Sequence, residues 1–233
     1  MLRLNNVTKE FRLDEVNSIT PVRDVSLSIE PGEFIVIIGR SGTGKTTLLN
    51  LAAGLVRPTS GTVQIGDADL AGLSDREVSA LRSERIGFVF QFPSLLPPLT
   101  IQDNVSLPAI FVNKNGAKAA AGRARELLET LGLGSKLDVF PRQLSAGEQK
   151  RVVIARSLIN QPQLILADEP TSDLDTRTEE EVMGILRDIN AKGVTFLVVT
   201  HSLELTEFAT RVFEMEAGTL RQLSAAKDGM RVS

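Results

Sequence analysis

The chain of 233 residues is 42% hydrophobic and 24% charged, a globular composition that excludes global disorder and suits one large domain, with or without a subdomain. The formal net charge of −3 argues against a cationic surface for nucleic acid, so no nucleic-acid partner is expected. With no cysteine and one histidine, the sequence excludes disulfides, thiolate metal sites and polyhistidine metal sites.

The first third of the chain is predicted to form strands. Residues 25–29 alternate apolar and polar side chains, which is the pattern of a half-buried strand. A Pro31-Gly32 turn precedes residues 34–38, which are all apolar and predict a wholly buried strand. Residues 62–65 alternate again. We therefore expect a small antiparallel sheet beside a buried central sheet.

The sequence lacks the features of a membrane-spanning or secreted chain. The longest uncharged stretch, residues 86–102, is short for a bilayer span and contains three prolines. Residues 1–6 lack the basic start, apolar stretch and cleavage site of a secretory signal. We therefore expect the protein to remain in the cytoplasm.

Helical patterns dominate the middle of the chain. Residues 117–131 are rich in Ala, Arg, Glu and Leu, and Gly132 follows as a helix stop. Residues 149–160 space their apolar side chains as a helix packed on a core would.

The last third predicts parallel βαβ units followed by a hairpin. Short apolar runs at residues 164–167 and 194–199 flank a helical stretch at residues 178–191. Residues 211–223 predict the hairpin, and residues 225–233 resemble a loose tail.

A phosphate-binding loop pattern lies between the buried strand and a helical segment. Its glycines let backbone N–H groups turn inward around a polyphosphate, and the helix N-terminus adds partial positive charge. Lys45 can reach the outer phosphates, and the Thr46 hydroxyl can bind magnesium. The alternative, a glycine-rich turn without a ligand, is disfavoured by the complete pattern between strand and helix. The residues assigned to phosphate binding are Gly39, Arg40, Ser41, Gly42, Thr43, Gly44, Lys45, Thr46 and Thr47.

Two adjacent carboxylates, Asp168 and Glu169, follow the apolar run at residues 164–167. The ends of parallel strands are where side chains converge on a bound ligand. Asp168 would hold magnesium, directly or through water, while Glu169 would act as general base and polarise the attacking water. Taken alone, such a pair is more often part of a solvated loop. The upstream phosphate loop favours the catalytic interpretation.

Residues 144–149, Leu-Ser-Ala-Gly-Glu-Gln, open a helix and allow two interpretations. Ser145 and Glu148 have the spacing of a capping box, which is a structural device. The same helix start could also aim its dipole and the Ser145 hydroxyl at a phosphate. The hexapeptide alone favours the cap.

The order of these motifs resembles that of the ATP-binding cassette (ABC) ATPases. The motifs that carry the resemblance are the phosphate loop, Gln91, residues 144–149, Asp168-Glu169, Asp175 and His201. The resemblance implies a single ABC ATPase domain at residues 1–224, with a helical subdomain at about 92–160. It implies an α/β fold with a P-loop NTPase core, in which a mostly parallel central sheet is flanked by an antiparallel β-subdomain and the helical subdomain. The implied cofactors are ATP and Mg²⁺.

The resemblance also implies a dimer with two composite ATP sites. Residues 144–149 correspond to the family's signature segment. In the family, this segment of one subunit caps the ATP held on the phosphate loop of the other. Ser145 and Gly147 would contact the γ-phosphate, and Glu148 is assigned to the same nucleotide. Asp175 resembles an aspartate that crosses the dimer interface, with an ordinary acid at a helix N-terminus as the alternative.

Three further roles follow from matching positions. Gln91 resembles a glutamine that binds magnesium and water and reports the nucleotide state, or it is a polar residue at a strand end. His201 resembles a histidine that contacts the γ-phosphate, although a lone histidine is more often structural. Phe11 takes the place of the adenine-stacking aromatic, with a core phenylalanine as the alternative. The implied catalytic residues are Glu169, His201, Gln91 and Lys45, and the implied magnesium ligands are Thr46, Gln91 and Asp168.

Two residues depart from the family pattern. Ala146 replaces the first glycine of the usual Leu-Ser-Gly-Gly signature and adds a methyl group where backbone and phosphate approach closely. Phe11 lacks the hydroxyl of the usual tyrosine, but stacking needs only the ring face. We therefore expect weakened or slowed closure of the dimer, which affects the rate of turnover more than the identity of the protein as an ABC ATPase.

Within the family, residues 4–11, 85–91 and 166–171 are most similar to the group that serves lipoprotein release, macrolide export and bacterial cell division. This similarity implies a homodimer that pulls on integral membrane permease subunits from the cytoplasmic face. The apolar loop at residues 92–99 is the candidate docking surface, unless it fills the helical subdomain's own core. The alternative functions are a mechanical ATPase of cell division and a soluble ABC ATPase of translation or DNA repair.

Overall fold

The computed structural model describes residues 1–14, 17–112 and 116–223, so the tail predicted at residues 225–233 lies outside the described residues. The strands are β1 (Leu2–Arg12), β2 (Ser18–Ile29), β3 (Phe34–Ile38), β4 (Ser60–Ile65), β5 (Ala68–Asp69), β6 (Ile86–Val89), β7 (Leu164–Asp168), β8 (Thr195–Thr200), β9 (Arg211–Glu216) and β10 (Thr219–Leu223). The helices are α1 (Lys45–Ala52), α2 (Asp75–Arg85), α3 (Ile101–Val112), α4 (Ala117–Thr130), α5 (Ala146–Leu158) and α6 (Thr176–Ala191).

The chain divides into two compact units, each with its own buried apolar side chains. The first unit comprises Met1–Leu73 and Phe196–Ser233, and the second comprises Ser74–Thr195. Within the ranges described, no helix combines the length and the hydropathy of a transmembrane span.

The first unit begins with a four-stranded antiparallel sheet in the order β2-β1-β4-β5. Leu4 of β1 lies opposite Leu27 of β2 and Val63 of β4, and all three side chains are buried. Ser26 and Ser28 of β2 are exposed, because successive residues of a strand face opposite sides. The predicted small antiparallel sheet is confirmed.

The same unit contains the buried parallel strands. β3 runs parallel to β8 on one side and to β9 on the other, so Ile35 pairs with Leu197 and with Arg211. Phe34 and Phe196 stack with their ring centroids 5.0 Å apart. β10 is antiparallel to β9 and completes the predicted hairpin. The prediction of a buried strand at residues 34–38 is confirmed, and this strand leads directly into the phosphate-binding loop.

In the second unit, β6 and β7 are parallel neighbours, with Gly87 opposite Ile165. Helix α5 approaches β6 closely: a Cβ on Gly87 would lie 2.4 Å from the carbonyl oxygen of Ser157. Glycine at this position therefore lets the helix sit against the strand. The parallel pairs β3–β8, β3–β9 and β6–β7 confirm the predicted mostly parallel sheet.

The structure contains two helices that the sequence analysis did not assign. Helix α2 begins with a capping box between Ser74 and Glu77, a signal that was present in the sequence. Helix α3 continues through Pro108, a residue that disfavours a helix interior. Because α3 packs on α4 and α5, tertiary contacts outweigh that local preference. The predicted helices at residues 117–131, 149–160 and 178–191 correspond to α4, α5 and α6.

Candidate functional site

The phosphate-binding loop connects β3 to α1 in the first unit. Gly42 and Gly44 have φ angles of 80° and 106°, in the region that favours glycine. Gly44 is the N-cap of α1, and within the described chain no side chain caps this helix start and its first turn holds no acidic residue. The start of α1 therefore presents its partial positive charge without an anionic side chain, as in phosphate sites.

The loop glycines serve different purposes. A Cβ on Gly39 would lie 2.5 Å from the carbonyl oxygen of Met215, and one on Gly44 would lie 1.9 Å from that of Pro21. A Cβ on Gly42 would meet none of the described atoms within 4 Å. Packing of the fold therefore requires Gly39 and Gly44, whereas Gly42 lies on the open side of the loop, where a ligand has access.

Lys45 folds over this loop. Its Nζ donates hydrogen bonds to the carbonyl oxygens of Gly39 at 2.6 Å and Arg40 at 3.1 Å. An ammonium group has three N–H donors, so one can still turn toward a phosphate. The hydroxyl of Thr43 donates to the same Arg40 oxygen at 2.9 Å. The remaining residues assigned to phosphate binding are exposed or half-buried: Arg40, Ser41, Thr43, Thr46 and Thr47.

Phe11 and His201 are exposed residues of the first unit. Phe11 lies near the end of β1, opposite Ile19 of β2, and is 36% exposed. The Nζ of Lys9 lies 4.9 Å from its ring centroid, within the range of a cation–π contact. Phe11 is therefore not a core residue, and its role as the adenine-stacking ring stays a prediction. His201 directly follows Thr200, the last residue of β8.

In the second unit, the two adjacent carboxylates lie at the end of β7. Asp168 is the last residue of the strand and is buried. Glu169 has a φ of 46°, a left-handed backbone that costs a non-glycine residue about 1–3 kcal/mol. Its carbonyl oxygen accepts hydrogen bonds from the backbone N–H of Ser172 at 3.2 Å and from the Ser172 hydroxyl at 3.0 Å. This turn fixes the direction in which Glu169 leaves the strand.

Lys150 of α5 is a residue of this site that the sequence analysis missed. It is 4% exposed, and its Nζ donates to the carbonyl oxygens of Gln91 at 2.5 Å and Glu169 at 3.4 Å. Burial lowers the pKa of Lys150, while the carboxylates of Asp173, Glu169 and Asp168 oppose that shift. The lysine thus brings the backbones of two predicted catalytic residues together. The sequence contained one signal for this role: Lys150 is a charged residue on the apolar face of the helix predicted at residues 149–160.

A second cation of α5, Arg156, holds the loop that follows Gln91. Its Nη1 donates to the carbonyl oxygen of Ser94 at 2.9 Å, and its Nη2 donates to that of Pro93 at 3.0 Å. Burial lowers the pKa of Arg156, but a guanidinium group stays charged at neutral pH. The side chain of Gln91 itself is exposed.

The signature segment starts α5 with the predicted capping box. The Ser145 hydroxyl accepts from the Glu148 N–H at 3.3 Å, and the Glu148 carboxylate accepts from the Ser145 N–H at 3.0 Å. The Nζ of Lys136 lies 2.6 Å from the other carboxylate oxygen, and this contact lowers the pKa of Glu148. The capping interpretation is confirmed. Ser145 is exposed, so its predicted contact with a phosphate is compatible with the cap.

Gly147 and Asp175 both approach Thr178 of α6. A Cβ on Gly147 would lie 2.3 Å from the Thr178 Cγ2. The Asp175 carboxylate accepts from the Thr178 hydroxyl at 2.7 Å and from its N–H at 3.1 Å, and these bonds lower the pKa of Asp175. Asp175 is thus the N-cap of α6, and its interface role stays a prediction. Ala146 is exposed at the first position of α5.

The predicted magnesium ligands are a hydroxyl, an amide and a carboxylate, from Thr46, Gln91 and Asp168. These are the oxygen donors that Mg²⁺ takes alongside phosphate oxygens and water. Among the described residues, no group of three or more acidic or histidine side chains could hold a metal ion. The donor chemistry of each residue, one in the first unit and two in the second, suits Mg²⁺, and the magnesium site itself stays a prediction.

Comparison with known sequences identifies the family. Residues 22–172 match the family model described as ABC transporter. The whole chain is 41% identical to the macrolide export ATP-binding/permease protein MacB of Rhodopirellula baltica, of which it covers 35%. It is 44% identical to an uncharacterized ABC transporter ATP-binding protein of Thermotoga maritima, over 94% of this chain and 93% of that protein. The chain thus spans about a third of the first relative and nearly all of the second.

Solved structures agree with these sequence matches. A dimeric ATP-binding cassette in a post-hydrolysis state, bound to ADP and Pi, is 40% identical with a TM-score of 0.88, over 96% of this chain and 98% of that chain. A dimeric bacterial ABC transporter cassette gives a TM-score of 0.87 at 39% identity, over 97% of this chain and 100% of that chain. The predicted fold class is confirmed. The chain therefore belongs to the ABC transporter family and is an ATP-binding cassette ATPase.

Proposed function

We propose that two copies of this chain enclose two MgATP molecules, and that ATP binding and hydrolysis drive a conformational change in membrane subunits. The observation that carries the proposal is the phosphate loop, which is open at Gly42 and polarised by the start of α1. The dimeric state of one related cassette, seen in two solved structures, supports the pairing.

The chain's own residues suit the hydrolysis of ATP. The loop N–H groups and Lys45 would bind the outer phosphates, while Thr46, Gln91 and Asp168 would hold magnesium. Magnesium supplies positive charge that offsets the charge developing on the phosphate oxygens. Glu169 would accept the proton of the attacking water as general base, a role that phosphoryl-transfer enzymes typically give to one carboxylate.

The signature segment would complete the site of the other copy. Ser145 and Ala146 are exposed at the start of α5, so a phosphate of the second copy's nucleotide can approach them. His201 would contact the γ-phosphate, and Phe11 would stack on adenine. Asp175 would lie at the dimer interface.

Exposed aromatic and aliphatic side chains around the predicted docking loop support a membrane partner. Phe92 is 67% exposed, Leu96 43% and Phe90 40%, and all lie close in sequence to Gln91. Leu99, by contrast, is half-buried, so part of this loop fills the unit's own interior. We infer that a permease segment covers the exposed part and holds the ATPase at the cytoplasmic face of the membrane.

The relative from Rhodopirellula is an ATP-binding/permease protein, and this chain covers 35% of it. We infer that the ATPase of this chain likewise acts together with a membrane permease. An exporter and a mechanical regulator of cell division would share every residue named above, so the bound partner distinguishes them.

The proposal is tested with the Glu169→Gln variant. Losing only the general base should slow ATP turnover by about 10²–10⁴-fold while ATP binding persists. ATP-bound dimers should then accumulate, which size-exclusion chromatography with light scattering detects. Glu180→Gln, at an exposed position of α6, is the matched control and should turn over normally.

Undiminished hydrolysis by Glu169→Gln, or a monomer under all nucleotide conditions, would contradict the proposal. Proteins that remain bound to this variant in ATP identify the partner. A permease supports export, a division protein supports the mechanical regulator, and a ribosome or DNA partner rejects both.

A further inference from the structure

Lys150 is a buried cation that neither nucleotide nor metal binding explains. It lies on α5, and Val153 and Ile154 on the next turn of the same face are buried as well. A lysine is rarely buried unless its ammonium group is paired. Its ammonium group donates to carbonyl oxygens of two different loops, those of Gln91 and Glu169.

Those two carbonyl groups occupy equivalent places beyond two neighbouring strands. The β6–β7 ladder runs to the pair Val89 and Ala167. Gln91 and Glu169 each lie two residues further along the chain. Lys150 therefore joins the two loops at the point where the ladder between their strands has ended.

The orientation of Glu169 depends on this contact. Its left-handed backbone is strained, and three donors hold its carbonyl oxygen: the N–H and hydroxyl of Ser172 and the Nζ of Lys150. Ser172 belongs to the same turn, so its bonds hold the turn's internal shape. Lys150 belongs to α5, so its hydrogen bond fixes the position of that turn relative to α5 and to the loop at Gln91.

The donor of both hydrogen bonds is the ammonium group of Lys150. A charged donor makes shorter and stronger hydrogen bonds to carbonyl oxygens than a neutral one. An uncharged side chain at this position would therefore hold the two loops more weakly.

We propose that Lys150 is a positioning residue that fixes the backbone of Glu169 relative to that of Gln91, so that the general base is aligned only when both loops are in place. The inference rests on the proposed role of Glu169 as general base. Lys150 acts through Glu169, because its ammonium group contacts main-chain oxygens of Gln91 and Glu169.

The test compares three variants of the full chain by steady-state ATP hydrolysis. Lys150→Met keeps the length and burial of the side chain but removes both hydrogen bonds. We expect it to lower kcat about 10- to 100-fold, as loss of an orienting contact does, with a KM for ATP within about 3-fold. Lys150→Arg, which keeps a charged donor, should recover part of the lost kcat.

Arg151→Met is the matched control. Arg151 is the next residue of the same helix, and its Nη2 binds Glu181 of α6 at 2.6 Å. The control loses one positive charge from α5 without losing a contact to Gln91 or Glu169. It should keep kcat within about 3-fold of the unmodified chain, and an equal loss in both Met variants would overturn the inference.

A double-mutant cycle separates positioning from a general structural effect. If Lys150 acts through Glu169, adding Lys150→Met to Glu169→Gln should lower the single-turnover rate by less than about 2-fold. Independent, multiplicative losses would overturn the inference and leave the proposed function intact. If Glu169→Gln alone leaves turnover unchanged, the proposed function fails instead. Should Lys150→Met fold poorly, Lys150→Gln enters the same cycle.

Discussion

Two alanine substitutions in the phosphate-binding loop should both lower stability, but by different amounts and for different physical reasons. Gly42 and Gly44 both have positive φ angles, so alanine at either position is strained by about 1–2 kcal/mol. Their surroundings differ. A Cβ on Gly44 would lie 1.9 Å from the carbonyl oxygen of Pro21, whereas one on Gly42 would meet nothing among the described atoms within 4 Å.

The magnitude follows from this difference. Gly42→Ala should lower the free energy of unfolding by the strain alone, about 1–2 kcal/mol. Gly44→Ala adds the displacement of backbone atoms, typically about 1–3 kcal/mol for an overpacked site, so its total is about 2–5 kcal/mol. Because the obstructing atom is a main-chain oxygen, rotation of a side chain cannot relieve the contact. For a chain of this size, the gap corresponds to a difference in Tm of about 2–12 °C.

Urea denaturation without nucleotide measures the stability, and equilibrium titration with ATP measures binding. Gly44→Ala should be the less stable variant. Gly42→Ala should stay folded at 25 °C but bind ATP more weakly than the unmodified chain, because its methyl group occupies the open side of the loop. Equal losses of stability in both variants would refute the reasoning, and so would unchanged ATP affinity in a folded Gly42→Ala.

Two further predictions concern the docking surface and the signature. Replacing both Phe92 and Leu96 with serine should release the ATPase from membranes that contain its partner, since these side chains are 67% and 43% exposed. Sedimentation with membranes measures the release. The control is Leu55→Ser, at a position 46% exposed in the first unit, and this variant should stay bound. Release of the control as well would count against a specific docking surface. Ala146→Gly should raise kcat by removing a methyl group near the phosphate, while losing at most about 1 kcal/mol of stability because the position is an exposed helix start. A lower kcat in that variant would show that the alanine does not hinder closure.

The sequence analysis succeeded where local patterns and burial agree. The apolar run of β3 is buried on a parallel ladder, and the Ser145–Glu148 spacing does form a capping box. It failed for α3, because Pro108 disfavours a helix and packing on α4 and α5, which the sequence does not show, helps to stabilise one there. It also missed Lys150, whose acceptors lie 59 and 19 residues away in sequence.

The sequence by itself determined the family, through the order of several motifs along the chain, and the phosphate loop, through the spacing within one motif. Spacing is enough for the loop because its chemistry depends on backbone N–H groups and on neighbouring side chains. Only the tertiary structure decided which glycine is open to a ligand and which is closed by Pro21 or Met215. It also decided that one ammonium group joins the loops of Gln91 and Glu169. Such contacts depend on distances between elements far apart in the chain, which no local pattern records.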